Sequence, residues 1–394
     1  MITAEEALRT ILHHVQPLRP RTLPLARAVG TFAAQDIIAR LALPPFDNSA
    51  MDGYAVVASS AQTPGARLQV IGEQPAGLDR GLRVGPGEAV RIFTGAPIPA
   101  GADAVVMQED TRAEGDQVII ETTADAGEFV RYRGGDVAEG QKLLGAGERI
   151  TAQALALFAA QGMPTLQVGG KVHAAIISTG DELAEPGARL LPGQVYEANS
   201  VLLRALLEQL GVEIVSTVHC ADQAMAIQTS LSAAAACNAV IITGGVSVGT
   251  RDLVKTALNQ VGATLDLWRV SLRPGKPFLF GHLGDSAIFG LPGNPVSAFV
   301  TFLLFVRPAL LKLMGANDNA LGLERVAARL VEPIVNRGDR PHYVRGILRD
   351  GEFQPVGRQE SHALFGLSRA NSLLLAHPGE ILSAGDTVTA LTWE

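Results

Sequence analysis

The stretch GGVSVGTRD, from Gly244 to Asp252, predicts the fold around it. It follows an apolar run, AVII at 239–242, and precedes a helical pattern at 253–261. A run of β-branched residues, a glycine-rich turn and a helix are together typical of one arm of a parallel α/β sheet. Because glycines let backbone amides approach a ligand and a helix N-terminus favours negative charge, the stretch could cradle a phosphate. A tight turn without any ligand explains the same stretch equally well.

Two more apolar runs lead into loops of the same kind. The run at 172–177 leads into STGDE, and the run at 287–289 leads into GLPGNP. In the second loop Asn294 is predicted to cap, and Pro295 to begin, a long apolar helix that ends near residue 314. Because parallel strands place their carboxyl ends at one edge of an open sheet, these loops predict a ligand crevice along that edge.

The composition is that of a soluble protein with several folded domains. The chain has 394 residues, 47% of them hydrophobic and 18% charged, a length that predicts about two to four domains. The net charge of −7 leaves no broad basic stripe and argues against a nucleic-acid partner.

The sequence shows no targeting or membrane segment. Thr3 and Glu6 form a capping box that begins an amphipathic helix rather than a signal peptide. The longest apolar segment, at 296–306, is short for a membrane span and is predicted to be a buried helix. Cys220 and Cys237 lack a metal-binding spacing and are expected in the core. We therefore expect a cytoplasmic protein.

Changes of pattern along the chain predict four structural units. Helical patterns occur at 3–15 and 23–39, and another helix is predicted to begin after Thr151. Short alternating runs separated by Gly and Pro then indicate β-structure, and strands alternating with helices indicate an α/β domain. The predicted units are a helical linking domain at 1–41 and 141–170, whose first helix could pack on the α/β domain, an inserted β-domain at 42–140, an α/β domain at 171–317 and a C-terminal β-domain at 318–394.

Three polar stretches lie within the inserted β-domain. They are FDNSAMDGYA at 46–55, TGAP at 94–97 and RGGD at 133–136. Acids, amides and glycines are the usual residues of tight turns, so each stretch alone is explained as a turn.

The order of six motifs identifies a family resemblance over essentially the whole chain. The motifs are DNSAMDGYA at 47–55, TGAP at 94–97, STGDEL at 178–183, GGVSVG at 244–249, PGKP at 274–277 and GLPGNPVSA at 290–298. The chain resembles the molybdopterin molybdenumtransferases, the family of MoeA and the gephyrin E-domain. The resemblance implies an elongated homodimer of α/β plus β class, with a doubly wound MogA-like α/β domain, an inserted β-domain and a C-terminal β-barrel domain. It also implies an enzyme that takes adenylylated molybdopterin and molybdate and releases molybdenum cofactor and AMP.

The resemblance assigns residues to each ligand. A tetrahedral dianion such as molybdate calls for cations and hydroxyls. Arg273 and Lys276, which lie beside rigid prolines, can supply the positive charge, and Ser297 can supply a hydroxyl. Arg345 and Ser361 match the family's molybdate-contacting arginine and serine. The residues expected to bind the pterin nucleotide lie in the three strand-end loops: Thr179, Gly180, Gly244, Gly245, Ser247, Gly249, Pro292, Gly293 and Pro295.

Cleavage of a phosphoanhydride requires its negative charge to be neutralised, most simply by Mg²⁺ held through carboxylates. The resemblance places Glu182, Asp222 and Asp252 around the nucleotide, as catalytic acids and metal ligands. Helix capping for Asp252 and turns for the other two are the competing explanation. Because the sequence shows no Ser–His–Asp constellation or activated cysteine, we expect catalysis by positioning and electrostatics, with Lys276 contributing charge.

The inserted β-domain carries three further residues that match functional positions of the family, Asp52, Thr94 and Asp136. In the resemblance this domain leans over the α/β loops of the partner subunit, so the active site is shared across the homodimer. The family also implies transient contacts with the molybdopterin adenylyltransferase and with molybdoenzyme maturation factors.

The chain departs from the common family pattern at two places. Arg269 and Arg273 stand where many relatives have lysines, so the oxyanion would meet a planar fork rather than a point charge. Phe365 and Gly366 replace a pair of serines, which removes an expected second hydroxyl from the molybdate pocket.

Two alternative functions fit part of the pattern. A pterin adenylyltransferase would need only the α/β domain and leaves the flanking β-domains unexplained. A non-catalytic pterin-binding or scaffold protein would be expected to have lost some of the acids Asp52, Glu182, Asp222 and Asp252, which are all present.

Overall fold

The computed structural model describes residues 1–245 and 253–393, which divide into two compact units. The larger unit contains Met1–Gln35, Ala146–Ala156 and Met163–Glu394, and the smaller contains Asp36–Gly145 and Leu157–Gly162.

A six-stranded sheet forms the centre of the larger unit. Its first four strands are parallel, and the last two join the sheet at one edge through antiparallel pairings, so that Leu279–Leu283 runs opposite to the other five. The inner parallel strands are buried along their whole length, as their runs of Val, Ile and Ala predict. In spatial order the strands are Glu213–Cys220, His173–Thr179, Ala239–Thr243, Ser286–Leu291, Leu279–Leu283 and Thr264–Trp268. The helices that follow these strands include Asn199–Gln209, Ala224–Ala234 and Leu253–Gln260.

The first helix, Ala4–His14, packs against the helical segment at 302–313 and shares its core with this sheet. Thr3 and Glu6 form the predicted capping box, with the Glu6 amide donating to the Thr3 hydroxyl at 3.1 Å. Ala7 and Ile11 are fully buried in the same core as the strands. The apolar face of this helix therefore belongs to the α/β core.

A long apolar helical segment fills the core beneath the sheet. It consists of the helices Pro295–Thr301 and Arg307–Leu313, joined by one π-helical turn at Phe302–Val306. Length and apolar composition alone would allow Pro295–Leu313 to cross a membrane, but 83% of its most apolar window is buried inside the protein. The predicted buried helix is thus confirmed.

The C-terminal part of the larger unit is a closed five-stranded barrel. The predicted barrel is confirmed, and its interior is filled by residues such as Phe353 and Leu374. Around the barrel the strands are Glu324–Leu330, Glu352–Pro355, His342–Arg349, Ser372–Ala376 and Thr387–Thr392. A short strand pair, Ile334–Val335 with Ile381–Leu382, and the helices Asp318–Leu321 and Leu364–Arg369 complete this region.

The smaller unit is built on a second six-stranded sheet, as the alternating runs predict. Its core includes Tyr54, Val106 and Ile120. The strands are, in spatial order, Ala104–Met107, Gly53–Val56, Glu88–Ile92, Ala66–Gln74, Gln117–Ile120 and Thr111–Glu114. Two short pairs join Asn48–Ser49 to Val130–Arg131 and Ile37–Ile38 to Lys142–Leu144.

The prediction of helix at 23–39 is wrong. Arg21–Pro24 is a strand that pairs antiparallel with Thr165–Val168, and only Leu25–Arg27 forms a single 3₁₀ turn. Pro24 cannot donate inside a helix, and Gly30 adopts a left-handed φ of +79° that ends any helical run. The strand partner lies more than a hundred residues away, beyond the reach of a local pattern. By contrast, the helix Ala152–Ala160 begins where predicted, with the Thr151 hydroxyl accepting from the Ala154 amide at 3.2 Å.

Candidate functional site

A cavity of about 640 Å³ lies at the carboxyl ends of three parallel strands of the larger unit. We call it the strand-end cavity. The predicted crevice is therefore present, and it includes the ends of all three loops that the sequence singled out. The strand-end cavity is lined by Thr179, Gly180, Glu182, Leu183, Val195, Tyr196, Glu197, Ala198, Asn199, Asp222, Thr243, Gly244, Gly245, Pro277, Pro292, Gly293, Asn294, Pro295, His362 and Leu364.

The strand-end cavity is acidic. Its described lining contains three carboxylates, Glu182, Glu197 and Asp222, and no lysine or arginine. Glu197 is occupied as a helix cap, since both its oxygens accept from the Ser200 amide at 2.9 and 3.0 Å. Glu182 and Asp222 remain as the acids that can face a ligand.

The carboxylate of Asp222 is held in an unfavourable electrostatic environment. Partial burial raises its pKa, and the neighbouring charges of Asp181 and Glu182 raise it further. The Asp222 amide donates to Asp181 Oδ1 at 3.0 Å, which fixes the two acidic residues beside each other. Clustered acids with a raised pKa form a site that gains stability when a cation binds.

Two of the three acids predicted to bind a metal ion are found in the cavity lining. Glu182 and Asp222 line the same cavity, whereas Asp252 lies outside the described residues, as do Ser247 and Gly249. Within 1–245 and 253–393, no group of three His, Cys, Asp or Glu residues is arranged to hold a metal ion.

Glycines allow two of the loops to pack against each other. Gly244 has φ +87°, and a Cβ atom placed on it would lie 2.3 Å from the Thr179 carbonyl oxygen. A Cβ on Gly245, at φ +63°, would lie 2.7 Å from the Thr179 hydroxyl. These glycines are therefore required by the packing of the loops, whether or not a ligand approaches them.

Asn199 is a residue of this cavity that the sequence analysis missed. Its amide nitrogen donates to the Thr243 hydroxyl at 2.7 Å and to the Gly293 carbonyl at 2.8 Å, so it ties two strand ends together. A polar residue in the first turn of a helix beside the glycine-rich loops was the available signal.

A second cavity, of about 520 Å³, adjoins the first and has the opposite charge. We call it the basic cavity. It brings together the predicted residues Arg273, Lys276, Ser297 and Ser361, and adds Arg340, which the sequence analysis missed. Its only acid among the described lining residues is Glu360. The remaining lining residues are Pro274, Gly275, Pro277, Pro292, Asn294, Gln359 and His362.

Arg345 is placed differently from the other predicted anion ligands. It is 1% exposed and is absent from the residues that line the basic cavity. Its guanidinium donates to the backbone carbonyls of Arg358, Glu360 and Ala363. Burial lowers its pKa, and the charge of Glu360 opposes that shift.

His342 lies close to two of these cations. It is 7% exposed, and burial together with the charges of Arg273 and Arg345 lowers its pKa to about 4. The imidazole is therefore neutral at physiological pH, and the positive charge of this region comes from arginine and lysine.

Four residues line both cavities: Pro277, Pro292, Asn294 and His362. Asn294 occupies the N-cap position and Pro295 begins the helix, as predicted, but the Asn294 side chain makes no capping hydrogen bond. The Asn294 amide instead donates to the Ser361 hydroxyl at 2.9 Å. The Val296 amide also donates to the Ser361 carbonyl at 3.1 Å. The wall between the cavities is thus joined to the barrel region by Ser361.

The smaller unit holds the remaining predicted residues. Asp52 Oδ1 accepts from both the amide and the hydroxyl of Thr94, at 2.7 and 2.8 Å. These two hydrogen bonds lower the Asp52 pKa, so its exposed carboxylate is ionised and fixed in direction. Asp136 lies in a turn, where its amide donates to the Leu43 carbonyl at 2.9 Å.

Three family models match successive parts of the chain. They are described as "MoeA N-terminal region (domain I and II)" at residues 2–162, "Probable molybdopterin binding domain" at 175–312 and "MoeA C-terminal region (domain IV)" at 327–393.

Relatives that align over nearly the whole chain are molybdopterin molybdenumtransferases. Molybdopterin molybdenumtransferase 2 of Mycobacterium tuberculosis is 39% identical over 386 residues, which cover 95% of each chain. The molybdopterin molybdenumtransferase of Haemophilus influenzae is 36% identical over 397 residues, covering 99% of this chain and 98% of the relative. The solved structure of a molybdopterin biosynthesis MoeA protein from Pyrococcus horikoshii covers all of both chains at 30% identity, with a TM-score of 0.86.

Proposed function

The chain belongs to the molybdopterin molybdenumtransferase family, and from that premise we propose that it transfers molybdenum from molybdate to adenylylated molybdopterin and releases AMP. The observation that supports this reaction most directly is the pair of adjoining cavities with opposite charge. A reaction between a nucleotide-bearing pterin and a separate dianion needs two neighbouring sites whose occupants can meet.

The strand-end cavity suits the nucleotide portion of the substrate. The glycine loops that contain Gly244 and Gly293 leave backbone groups accessible, and Val195, Tyr196 and Leu364 provide apolar surface for a ring. A pyrophosphate beside Glu182 and Asp222 would be repelled unless a cation lay between them.

Mg²⁺ is the cation that fits these donors best. Glu182 and Asp222 would hold it, because hard carboxylate oxygens are its preferred protein ligands. Partial burial and the repulsion of neighbouring carboxylates raise the pKa of Asp222, and a bound cation would relieve that repulsion. When bound, the ion would neutralise the phosphoanhydride charge. The chain's own groups bind and orient the nucleotide around it.

The basic cavity suits molybdate. Arg273 and Lys276 supply positive charge, while the hydroxyls of Ser297 and Ser361 can donate to oxyanion oxygens. The dianion would lie next to the wall shared with the strand-end cavity, where the pterin dithiolene can reach it. Two Mo–S bonds would form as two molybdate oxygens leave as water or hydroxide. An oxygen of water or molybdate would attack phosphorus and stay on it, and the phosphoanhydride P–O bond would break to give AMP and the phosphate of molybdopterin.

The smaller unit is proposed to complete the site of a partner subunit in a homodimer. Its support is the exposed carboxylate of Asp52, which Thr94 holds ionised and fixed in direction. Such an acid suits a substrate that reaches it from outside its own unit. Thr94 and Asp136 belong to the same proposal.

The chemistry also places the enzyme in a sequence of reactions. Its substrate must come from an enzyme that adenylylates molybdopterin, and its product must pass to proteins that insert the cofactor into molybdoenzymes. Transient contacts with both, in the cytoplasm, are part of the proposal.

The experiment that tests the proposal measures AMP release from adenylylated molybdopterin, with and without molybdate and Mg²⁺. We expect AMP release that requires both, accompanied by activation of an apo-molybdoenzyme, and a large loss in Asp52→Ala. Tight nucleotide binding without AMP release under any condition would favour a non-catalytic scaffold. Formation of adenylylated molybdopterin from ATP would favour an adenylyltransferase.

A further inference from the structure

We propose that His362 carries protons between the two ligands of the site, from the dithiol sulfurs of the pterin to the oxygens that leave molybdate. The inference rests on the function proposed above and deepens it, because it assigns the proton transfers of the insertion step to one side chain. His362 is not among the residues that the family resemblance assigns to a ligand.

His362 lies on the boundary between the two cavities. It is one of the four residues that line both the strand-end cavity and the basic cavity, and the other three are Pro277, Pro292 and Asn294, which carry no titratable group. Among the described lining residues of the two cavities it is also the only histidine. Histidine is the side chain that both accepts and releases a proton near neutral pH. A proton that passes between occupants of the two cavities therefore meets a suitable carrier on their shared wall.

The imidazole of His362 is available to a ligand. The residue is exposed, and within 1–245 and 253–393 its side chain makes no hydrogen bond or ion pair with the protein. His282, by contrast, is hydrogen-bonded to Asp266 through Nδ1 at 3.0 Å. The ring of His362 thus keeps both nitrogens for substrate atoms.

The backbone on both sides of His362 is held in place. The Ser361 carbonyl accepts from the Val296 amide at 3.1 Å, and the Ser361 hydroxyl accepts from the Asn294 side-chain amide at 2.9 Å. On the other side, the Leu364 amide donates to the His362 carbonyl at 2.9 Å. A fixed backbone with an uncommitted side chain lets the ring turn between two partners without leaving the wall.

The acids of the site are less suited to the same task. Glu182 and Asp222 line only the strand-end cavity, where they are proposed to hold the metal ion. Glu360 lines only the basic cavity. None of these carboxylates lies on the wall that both ligands reach.

The insertion step needs one proton transfer for each sulfur that binds. As a sulfur forms its bond to molybdenum, its S–H proton passes to the neutral imidazole. The imidazolium then protonates an oxide of molybdate, the Mo–O bond breaks and the oxygen leaves as hydroxide. The imidazole is neutral again, and a second cycle attaches the second sulfur and releases a second hydroxide. Molybdenum keeps the oxidation state that it has in molybdate, and each sulfur keeps that of a thiol.

The test measures single-turnover molybdenum insertion, followed as activation of an apo-molybdoenzyme, in the full-length wild type and in His362→Gln. With both substrates saturating, we expect the insertion rate to fall by about 100-fold, the usual contribution of a general acid–base group. Molybdate affinity, measured by calorimetry, should change by less than about twofold, because the lost interaction is made during the reaction and not on binding. His377→Gln changes an exposed histidine outside both cavities and, as the matched control, should insert molybdenum at the wild-type rate.

Two further readouts separate proton transfer from a structural role. The wild-type insertion rate should fall in acid, where a protonated imidazole cannot accept the thiol proton, and this fall should move to lower pH in His362→Gln. Added imidazole should restore much of the rate of His362→Ala and leave the wild type unchanged.

Weaker molybdate binding in His362→Gln with a wild-type insertion rate at saturation would overturn the proposal and make His362 a ligand of the anion. An unchanged pH profile in His362→Gln, together with no rescue of His362→Ala by imidazole, would equally overturn it. A loss of rate confined to Glu360→Gln would move the role to that carboxylate. A wild-type chain that inserts no molybdenum refutes the proposed function itself, and this inference falls with it.

Discussion

The strand-end cavity and the basic cavity are similar in size and share four lining residues, yet their charges are opposite. The first is built from the carboxyl ends of parallel strands and contains only acids among its described charged residues. The second lies between the 273–277 segment and the loop 356–363, and most of its described charged residues are cations. Neighbouring sites with opposite charges can sort two ligands: a nucleotide with its metal ion on one side, and a bare oxyanion on the other.

The largest expected effect comes from reversing charge in the basic cavity. Lys276→Glu should lower the rate of molybdenum insertion by about 1,000-fold, because a carboxylate would repel the dianion and remove a positioned cation. The measurement is activation of an apo-molybdoenzyme at saturating adenylylated molybdopterin. Arg349→Glu, at an exposed site of the same unit, is the control and should retain activity. Equal losses in both variants would show that net charge, and not the cavity, controls the rate.

A smaller effect is expected from the acids of the strand-end cavity. Glu182→Gln should increase the Mg²⁺ concentration needed for half-maximal AMP release by about tenfold or more, because one anionic ligand is lost. Glu185→Gln, in an exposed neighbour outside the cavity, should behave as wild type. An unchanged Mg²⁺ requirement in Glu182→Gln would remove this residue from the metal site.

A steric change in the loops should reduce stability by an intermediate amount. Gly244→Ala places a methyl group against the Thr179 carbonyl in a left-handed backbone region, which should lower the free energy of unfolding by about 2 kcal/mol or more. Denaturant unfolding measures this loss. Gly262 has a similar φ of +78°, but a Cβ placed on it would have no atom within 4 Å. Gly262→Ala therefore measures the cost of the left-handed backbone alone, without the steric clash. Equal losses would show that the loop contact is unimportant.

The smallest expected effect concerns the repulsion around Asp222. A carboxylate whose folded pKa is raised destabilises the protein when ionised, so Asp222→Asn should raise the melting temperature at neutral pH by about 1 °C. The difference in melting temperature between Asp222→Asn and the wild type should vanish as the pH falls through the raised pKa toward the ordinary value of 3.8, because the Asp222 carboxyl is then protonated. Saturating Mg²⁺ should reverse the sign at neutral pH. A melting temperature that is lower in Asp222→Asn without Mg²⁺ would contradict the repulsion.

The sequence predicted the larger features of the fold because their signals are local. Buried strands appear as apolar runs, and the capping box of Thr3 and Glu6 lies within one turn. The family and the fold class are confirmed by full-length relatives and by the solved structure. The segment 23–39 was predicted wrongly because its strand depends on a partner at 165–168.

The site was predicted through motifs, and its details depend on contacts that motifs do not contain. Arg273, Lys276, Ser297 and Ser361 do meet in one cavity, although they come from different parts of the chain. The sequence could not show that Arg345 contacts a loop, since that contact depends on how the segment after its strand folds back. Arg340 was missed for the same reason, whereas Asn199 had a local signal in its position at the start of a helix beside the glycine-rich loops.

The most direct test of opposite-charge sorting is a pair of calorimetric titrations, AMP with Mg²⁺ and molybdate alone, on wild type, Asp222→Asn and Lys276→Ala. Two separate sites predict that Asp222→Asn loses affinity for AMP with Mg²⁺ by about tenfold and retains molybdate affinity, and that Lys276→Ala does the reverse. Loss of both ligands in each variant, or of neither, would contradict the division of the site into an acidic and a basic half.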